Sequence, residues 1–230
     1  MIAMRNLLIP ALLAATVPGA TAAVWTASDN TVSAIPDGSS SGLARSLVIN
    51  AGSETIISVE VGLNLSATSG GTAFLGDLYV YVTNGTDVAV LANRPGRRAG
   101  FPAGYSDNQI VTVTFSPVAG SDFHDYRLTE TGSHNTALSG PLTGLWQADG
   151  RFTDPATVLD TDARTNGLGV FTGDAATGTW SLFAADLSSG ATHQINSWSL
   201  TITAIPEPGT TALAALALAG MARRRRPDKQ

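Results

Sequence analysis

The stretch TIISVEVGLNL, residues 55–65, decides the fold class. In an extended chain Ile57, Val59, Val61, Leu63 and Leu65 fall on one side. Ser58, Glu60, Gly62 and Asn64 fall on the other. Period-two alternation sustained over this length is the pattern of a strand with one buried face. Five further stretches repeat it. RSLVIN (45–50) closes at Ala51, Gly52 and Ser53. LYVYVT (78–83) ends at Asn84-Gly85, a two-residue hairpin signal, and the chain returns through residues 88–91. IVTVTFS (110–116) aligns Val111, Val113 and Phe115, TWSLFAA (179–185) aligns Trp180, Leu182 and Ala184, and SWSLTIT (197–203) aligns Trp198, Leu200 and Ile202. No long internal stretch has helical period with caps. The expectation is an all-β fold, an antiparallel sandwich of two sheets.

Composition agrees. The chain has 230 residues, of which 24 are glycine and only 13% are charged. That balance suits short strands and tight turns. There is no cysteine, which excludes disulfides, thiolate metal sites and a thiol nucleophile. Between Ala23 and Gly209 lie 17 acidic residues and 7 arginines, a net of about −10. So acidic a body argues against nucleic-acid binding and against adhesion to an anionic membrane.

The two ends read differently from the body. At the start, Arg5 precedes an apolar run over residues 7–17. Ala20-Thr21-Ala22, or Thr21-Ala22-Ala23, then supplies a small-x-small cleavage site. This is the layout of a cleavable secretory signal, and the run is too short to span a bilayer. The other end carries Pro206-Glu207-Pro208, an Ala- and Leu-rich run over residues 210–222, and then Arg223, Arg224, Arg225 and Arg226. Proline keeps the preceding chain extended. The arginines hold their side in the cytoplasm. The apolar run is short for a bilayer, a deficit that snorkelling and local thinning absorb. The expected organisation is a signal peptide at 1–22, a β-sandwich at 23–204 and a sorting tail at 205–230 that forms a short apolar transmembrane helix.

The order box, apolar run, arginine cluster resembles the PEP-CTERM sorting signal of exopolysaccharide-producing Gram-negative bacteria. The resemblance implies export through the inner membrane, a transient hold there, and processing near the Pro-Glu-Pro box by an exosortase. It places the product in the cell envelope, on the outer surface or in the extracellular, biofilm matrix.

The body carries a second resemblance. Phe171, Gly178, Trp180 and Leu182, then Asp186, then Trp198, Leu200 and Ile202 are similar to the closing pattern of the P domain (Homo B domain) that follows the catalytic domain of proprotein convertases. Gly76-Asp77-Leu78-Tyr79-Val80-Tyr81, the Gly85-Thr86 hairpin and Ile35-Pro36-Asp37 resemble its earlier strands. The resemblance implies a jelly-roll β-sandwich of galactose-binding-like type. The chain departs from it over residues 94–162, and no histidine occurs in residues 66–75.

Candidate chemistry is sparse. Asp77 and Asp186 stand at strand–turn junctions of the P-domain-like pattern. Two chemistries suit them: carboxylates that accept turn N–H groups, or oxygen ligands of a structural Ca²⁺ ion. Asp160, Asp162 and Asp174 lie in the same acidic part of the chain. The three histidines, His124, His134 and His193, show no metal-ligand spacing, and no G-x-S-x-G elbow accompanies them. Trp146, in a Gly-rich stretch, is either buried or a platform for a sugar. The expected function is therefore a non-enzymatic structural or adhesive module, its partners being exosortase and exopolysaccharide or a partner protein. A carbohydrate-binding module is the first alternative. A small secreted hydrolase or protease-associated domain is the second.

Overall fold

The computed structural model describes residues 21–68, 72–190 and 192–206. The apolar run of the expected signal and the tail beyond Pro206, including Glu207, Pro208 and the four arginines, lie outside these residues. Among the described residues no helix is long and apolar enough to cross a membrane.

In chain order the strands are β1 (Ala23–Asp29), β2 (Ser33–Ala34), β3 (Ser39–Ile49), β4 (Glu54–Ala67), β5 (Leu78–Thr83), β6 (Val88–Asn93), β7 (Val111–Phe115), β8 (Leu142–Trp146), β9 (Gly178–Asp186) and β10 (His193–Pro206). One short helix, α1 (Tyr126–Thr131), lies between β7 and β8. One sheet has the order β1-β10-β4-β7-β8, with β2 also paired to β10. The other has the order β3-β9-β5-β6. The fold is the all-β sandwich that the alternating stretches foretell.

Every expected inward face is inward except at one point. Val59, Val61, Leu63 and Leu65 on β4, Val111, Val113 and Phe115 on β7, Trp180, Leu182 and Ala184 on β9, and Trp198, Leu200 and Ile202 on β10 are all buried. They merge into one apolar core with Phe171, which meets Trp180 edge-on at 4.8 Å between ring centroids. Each such large side chain contributes roughly 1.5–3 kcal/mol on burial. The exception is Ile57, which is 44% exposed, while its neighbour Ile56 is 1% exposed. Pairing with β10 explains it: Thr203 faces Ser58, but Ala204 faces Ile56, so Ile57 is the extra residue of a β-bulge. The bulge flips the alternation at one position.

Two other local readings change. The Asn84-Gly85 signal closes a four-residue loop, since Thr83 pairs with Val88. Asn84 holds that loop by accepting the N–H groups of Thr86 (3.0 Å) and Asp87 (2.8 Å) through Oδ1. Strand β8 pairs parallel to β7, an exception in an otherwise antiparallel fold. Parallel neighbours need a crossover of a dozen or more residues, and the stretch 116–141, with α1 inside it, supplies one.

The bulge generates a test. Ile56→Ala should cost about 2–5 kcal/mol in urea unfolding, whereas Ile57→Thr should change stability by no more than about 0.5 kcal/mol. Equal losses at the two positions would contradict the bulge.

Candidate functional site

Asp186 ends β9 and His193 begins β10, so these residues bracket the turn that carries the chain from one sheet to the other. Both are buried, and His193 Nδ1 lies 2.7 Å from Asp186 Oδ2. Asp77 stands directly before β5, whose Leu78 pairs with Asp186. Its carbonyl accepts the Leu187 N–H at 2.9 Å. The structure thus brings the two singled-out aspartates to one corner. There Arg94 joins them, its guanidinium 3.6 Å from the Asp77 carboxylate and donating to Ser188 Oγ at 3.3 Å. Burial pushes the Asp77 carboxyl above the ordinary carboxylate range. The Ser188 hydroxyl draws it back, and the Asp186 charge adds to the rise.

This geometry is that of a corner tied by side chains. Calcium takes roughly 6–8 oxygen ligands. Here Arg94 and His193 supply the groups that face the two carboxylates. Among the described residues no group of three or more His, Asp or Glu side chains is placed to hold a metal ion. The other acidic residues are spent elsewhere: Asp174 accepts from Asn84 (2.7 Å) and Asp162 from the Leu159 N–H (3.1 Å). The Asp160 carbonyl accepts from Arg151.

The stretch least readable in the sequence holds a second buried polar group. Asp149 Oδ2 accepts the Asn93 N–H (2.9 Å) and lies 2.8 Å from His124 Nδ1, while its Oδ1 accepts from Arg151 (3.0 Å). Arg151 also reaches Asp122 at 2.9 Å, and Asp122 accepts the His124 N–H. His124 Nε2 lies 2.9 Å from the Arg97 carbonyl. Both partners of the imidazole are acceptors, an arrangement that favours the protonated ring. Burial alone would depress this histidine. The hydrogen bond and charge of Asp149 and the Arg97 carbonyl outweigh it and hold the ring above its ordinary value. Nearby, Asp107 gathers Tyr126 Oη (2.7 Å), Arg127 Nε (2.5 Å) and the Leu138 N–H (2.9 Å). His134 Nδ1 lies 2.5 Å from Tyr105 Oη. The three histidines therefore sit in three separate settings, and no serine hydroxyl lies within bonding distance of any of their ring nitrogens among the described residues.

Trp146 is 2% exposed, and its indole N–H donates to the Thr143 carbonyl at 2.9 Å, so it offers no platform to a sugar. The aromatic surface lies elsewhere. Tyr79 and Tyr81 on β5 and Phe183 on β9 share the solvent side of the four-stranded sheet. The Tyr81 and Phe183 rings stack at 4.8 Å, and Tyr79 lies tilted against Tyr81 at 5.8 Å. With Ser40, Arg94, Ala185, Leu187 and residues 154–156 they line an open groove of about 550 Å³. A sequence sign of this existed: aromatic residues occupy the outward positions of LYVYVT. Their union with Phe183 across strands was not visible there.

Comparison with known proteins bears on the end of the chain. Residues 204–226 match the family model described as the PEP-CTERM protein-sorting motif. No curated protein matches the chain. A solved structure, the complex of the Aeromonas sobria serine protease with its chaperone, is similar at 15% identity and a TM-score of 0.42. The match covers 83% of this chain and 28% of that one, so the chain spans under a third of the length of its structural neighbour.

Two outcomes follow from the geometry. The His124 proton is held more tightly in the folded state than in the unfolded chain. Its contribution to stability is therefore fully present below about pH 6.5 and lost as pH rises through the folded value. His124→Gln should thus cost more stability at pH 5.5 than at pH 8.5, and an equal cost at both would mean a neutral ring. At the corner, the melting temperature should be the same in chelator and in millimolar Ca²⁺. A calcium-dependent rise abolished by Asp186→Asn would place an ion there.

Proposed function

We propose that the protein is an exosortase-sorted component of the cell envelope or extracellular matrix whose β-sandwich is a non-catalytic structural or adhesive module. The observation that carries this reading is the PEP-CTERM sorting motif, which marks the chain for export and sorting to the cell surface in Gram-negative bacteria. The last strand supports it. β10 runs to Pro206, where it pairs with Glu54, so the sheet is paired up to the first residue of the Pro-Glu-Pro box. A processing enzyme acting at the box then cuts next to a completed sheet.

The non-catalytic part rests on how the polar groups are used. General acid–base or nucleophilic catalysis asks for a titratable group facing a substrate-sized space. Two of the three His–Asp pairs are buried, one tying a sheet-to-sheet corner and the other anchoring a loop; the third, His134 with Asp125 at 3.9 Å, is partly exposed, and its Nδ1 lies against the Tyr105 hydroxyl. The groove on the four-stranded sheet has an aromatic floor.

The test is mass spectrometry of both termini after expression in an exosortase-bearing host. The mature protein should begin just after Ala22 or Ala23 and lack Arg223, Arg224, Arg225 and Arg226. Replacing Pro206, Glu207 and Pro208 together by alanine should leave the arginine tail in place and the protein in the inner-membrane fraction. An extracellular form that keeps its arginines would reject the sorting route.

A further inference from the structure

We infer that the groove on the outer face of the four-stranded sheet binds a neutral polysaccharide chain. Its floor is Tyr79, Tyr81, Phe183 and Ala185. Folding alone does not ask for rings there. The inward residues of the same strands, Val80, Val82, Leu182 and Ala184, already fill the core. The outward face of a half-solvated antiparallel sheet ordinarily carries polar residues. Thr83 and Ser181 do so one step further along. Three half-exposed rings in continuous contact are a surface in want of a ligand.

The groove is also built rigidly. On the β3 side, Gly42 has a φ of +53°, and a Cβ there would lie 2.5 Å from the Phe183 ring, so the backbone itself braces the ring. The opposite wall, residues 154–156, is pinned from below. Arg97 donates to the carbonyls of Pro155 (3.0 Å) and Ala156, and buried Asn93 donates to those of Arg151 (3.0 Å) and Thr153 (2.8 Å). Arg94 closes one end. Among the described residues it is the single non-glycine with positive φ, at 49°. Such a conformation is strained for a residue with a Cβ and persists where surrounding structure imposes it. The imposing contact is its Nε–H bond to the Gly76 carbonyl at 2.9 Å. Walls and cation are thus held before any ligand arrives, which lowers the ordering cost of binding.

The chemistry of the lining selects the occupant. A pyranose ring has an apolar C–H face and a rim of hydroxyls. Rings on a floor take the face. Arg94, the tyrosine hydroxyls, Ser40 and Asp154 supply donors and acceptors for the rim. Of the two charged lining residues, Arg94 already faces the Asp77 carboxylate and Asp154 is an acid, and the body around them is acidic. A uronate or phosphate-bearing polymer is therefore repelled at long range and meets no net positive site. The volume lies in the range of ligand pockets, roughly 300–1,000 Å³, and an open trough admits the interior of a chain as readily as its end. This inference stands apart from the sorting proposal, since an exported module needs no ligand, and the two tests fail separately.

The experiment is native affinity electrophoresis of the mature protein in gels containing laminarin, hydroxyethyl cellulose, dextran or mannan, with alginate as the charged comparison. At least one neutral polymer should retard the protein and alginate should not. Tyr81→Ala and Phe183→Ala should weaken retardation about tenfold, the loss of one stacked ring. Tyr81→Phe should retain most of it. Ser40→Trp, at an exposed position that leaves the core untouched, should fill the groove and abolish retardation with an unchanged melting temperature. This last variant decides the matter if an alanine variant misfolds. Retardation by none of the neutral polymers, by alginate alone, or undiminished in Ser40→Trp would overturn the inference.

Discussion

Each of the two sheets has an apolar face that only the other sheet can cover, and everything else in the molecule follows from keeping those faces together. β9 and β10 carry most of that burden. They are successive in the chain, lie inside different sheets, and bring Trp180 and Trp198 into the core. The turn between them is therefore a corner of the sandwich. Asp186 and His193 tie it with a buried hydrogen bond, and Asp77 and Arg94 extend the tie to β5 and to the end of β6. Buried charges are costly unless paired and hydrogen-bonded. The corner gathers partners for its two carboxylates from four separate stretches of chain, while His193 Nε2 stays buried without a hydrogen-bond partner.

The same logic governs the loops between β6 and β9. A crossover is needed to lay β8 parallel to β7, and it carries polar groups under the surface. Asp149 and Asp107 act as hubs for several of them. Asp149 holds the loop 149–166 against β6 by accepting the Asn93 N–H, and there the Val90 N–H donates to the Asn166 carbonyl and the Gly150 N–H to the Val90 carbonyl. The wall of the aromatic groove is one end of that loop. A buried network thus shapes one wall of the aromatic groove.

The sorting motif and the aromatic groove are recorded in this chain in different ways. Sorting is linear: a box, an apolar run and an arginine cluster act in sequence order and need no fold to be recognised. The groove is not linear. Tyr79 and Tyr81 are separated from Phe183 by about a hundred residues, and from the loop at 154–156 by most of that distance. Only strand pairing between β5 and β9 sets Tyr81 opposite Phe183.

What the sequence determined by itself was whatever depends on neighbours along the chain. Period two assigned the strands and their inward faces, because a pleated backbone alternates whatever it pairs with. It failed at Ile57, because a bulge is a property of the partner strand, and at Asn84-Gly85, because loop length is set by the register across the hairpin. It left Trp146, Asp77 and Asp186 open between burial, turn chemistry and ligation. Tertiary structure alone shows where they lie: Trp146 is buried with its ring edge-on to Phe123, and the aspartates face Arg94 and His193. The reason is physical. Alternation is local, whereas pairing, burial and charge compensation join residues far apart in the chain, and no short stretch records who its partner will be.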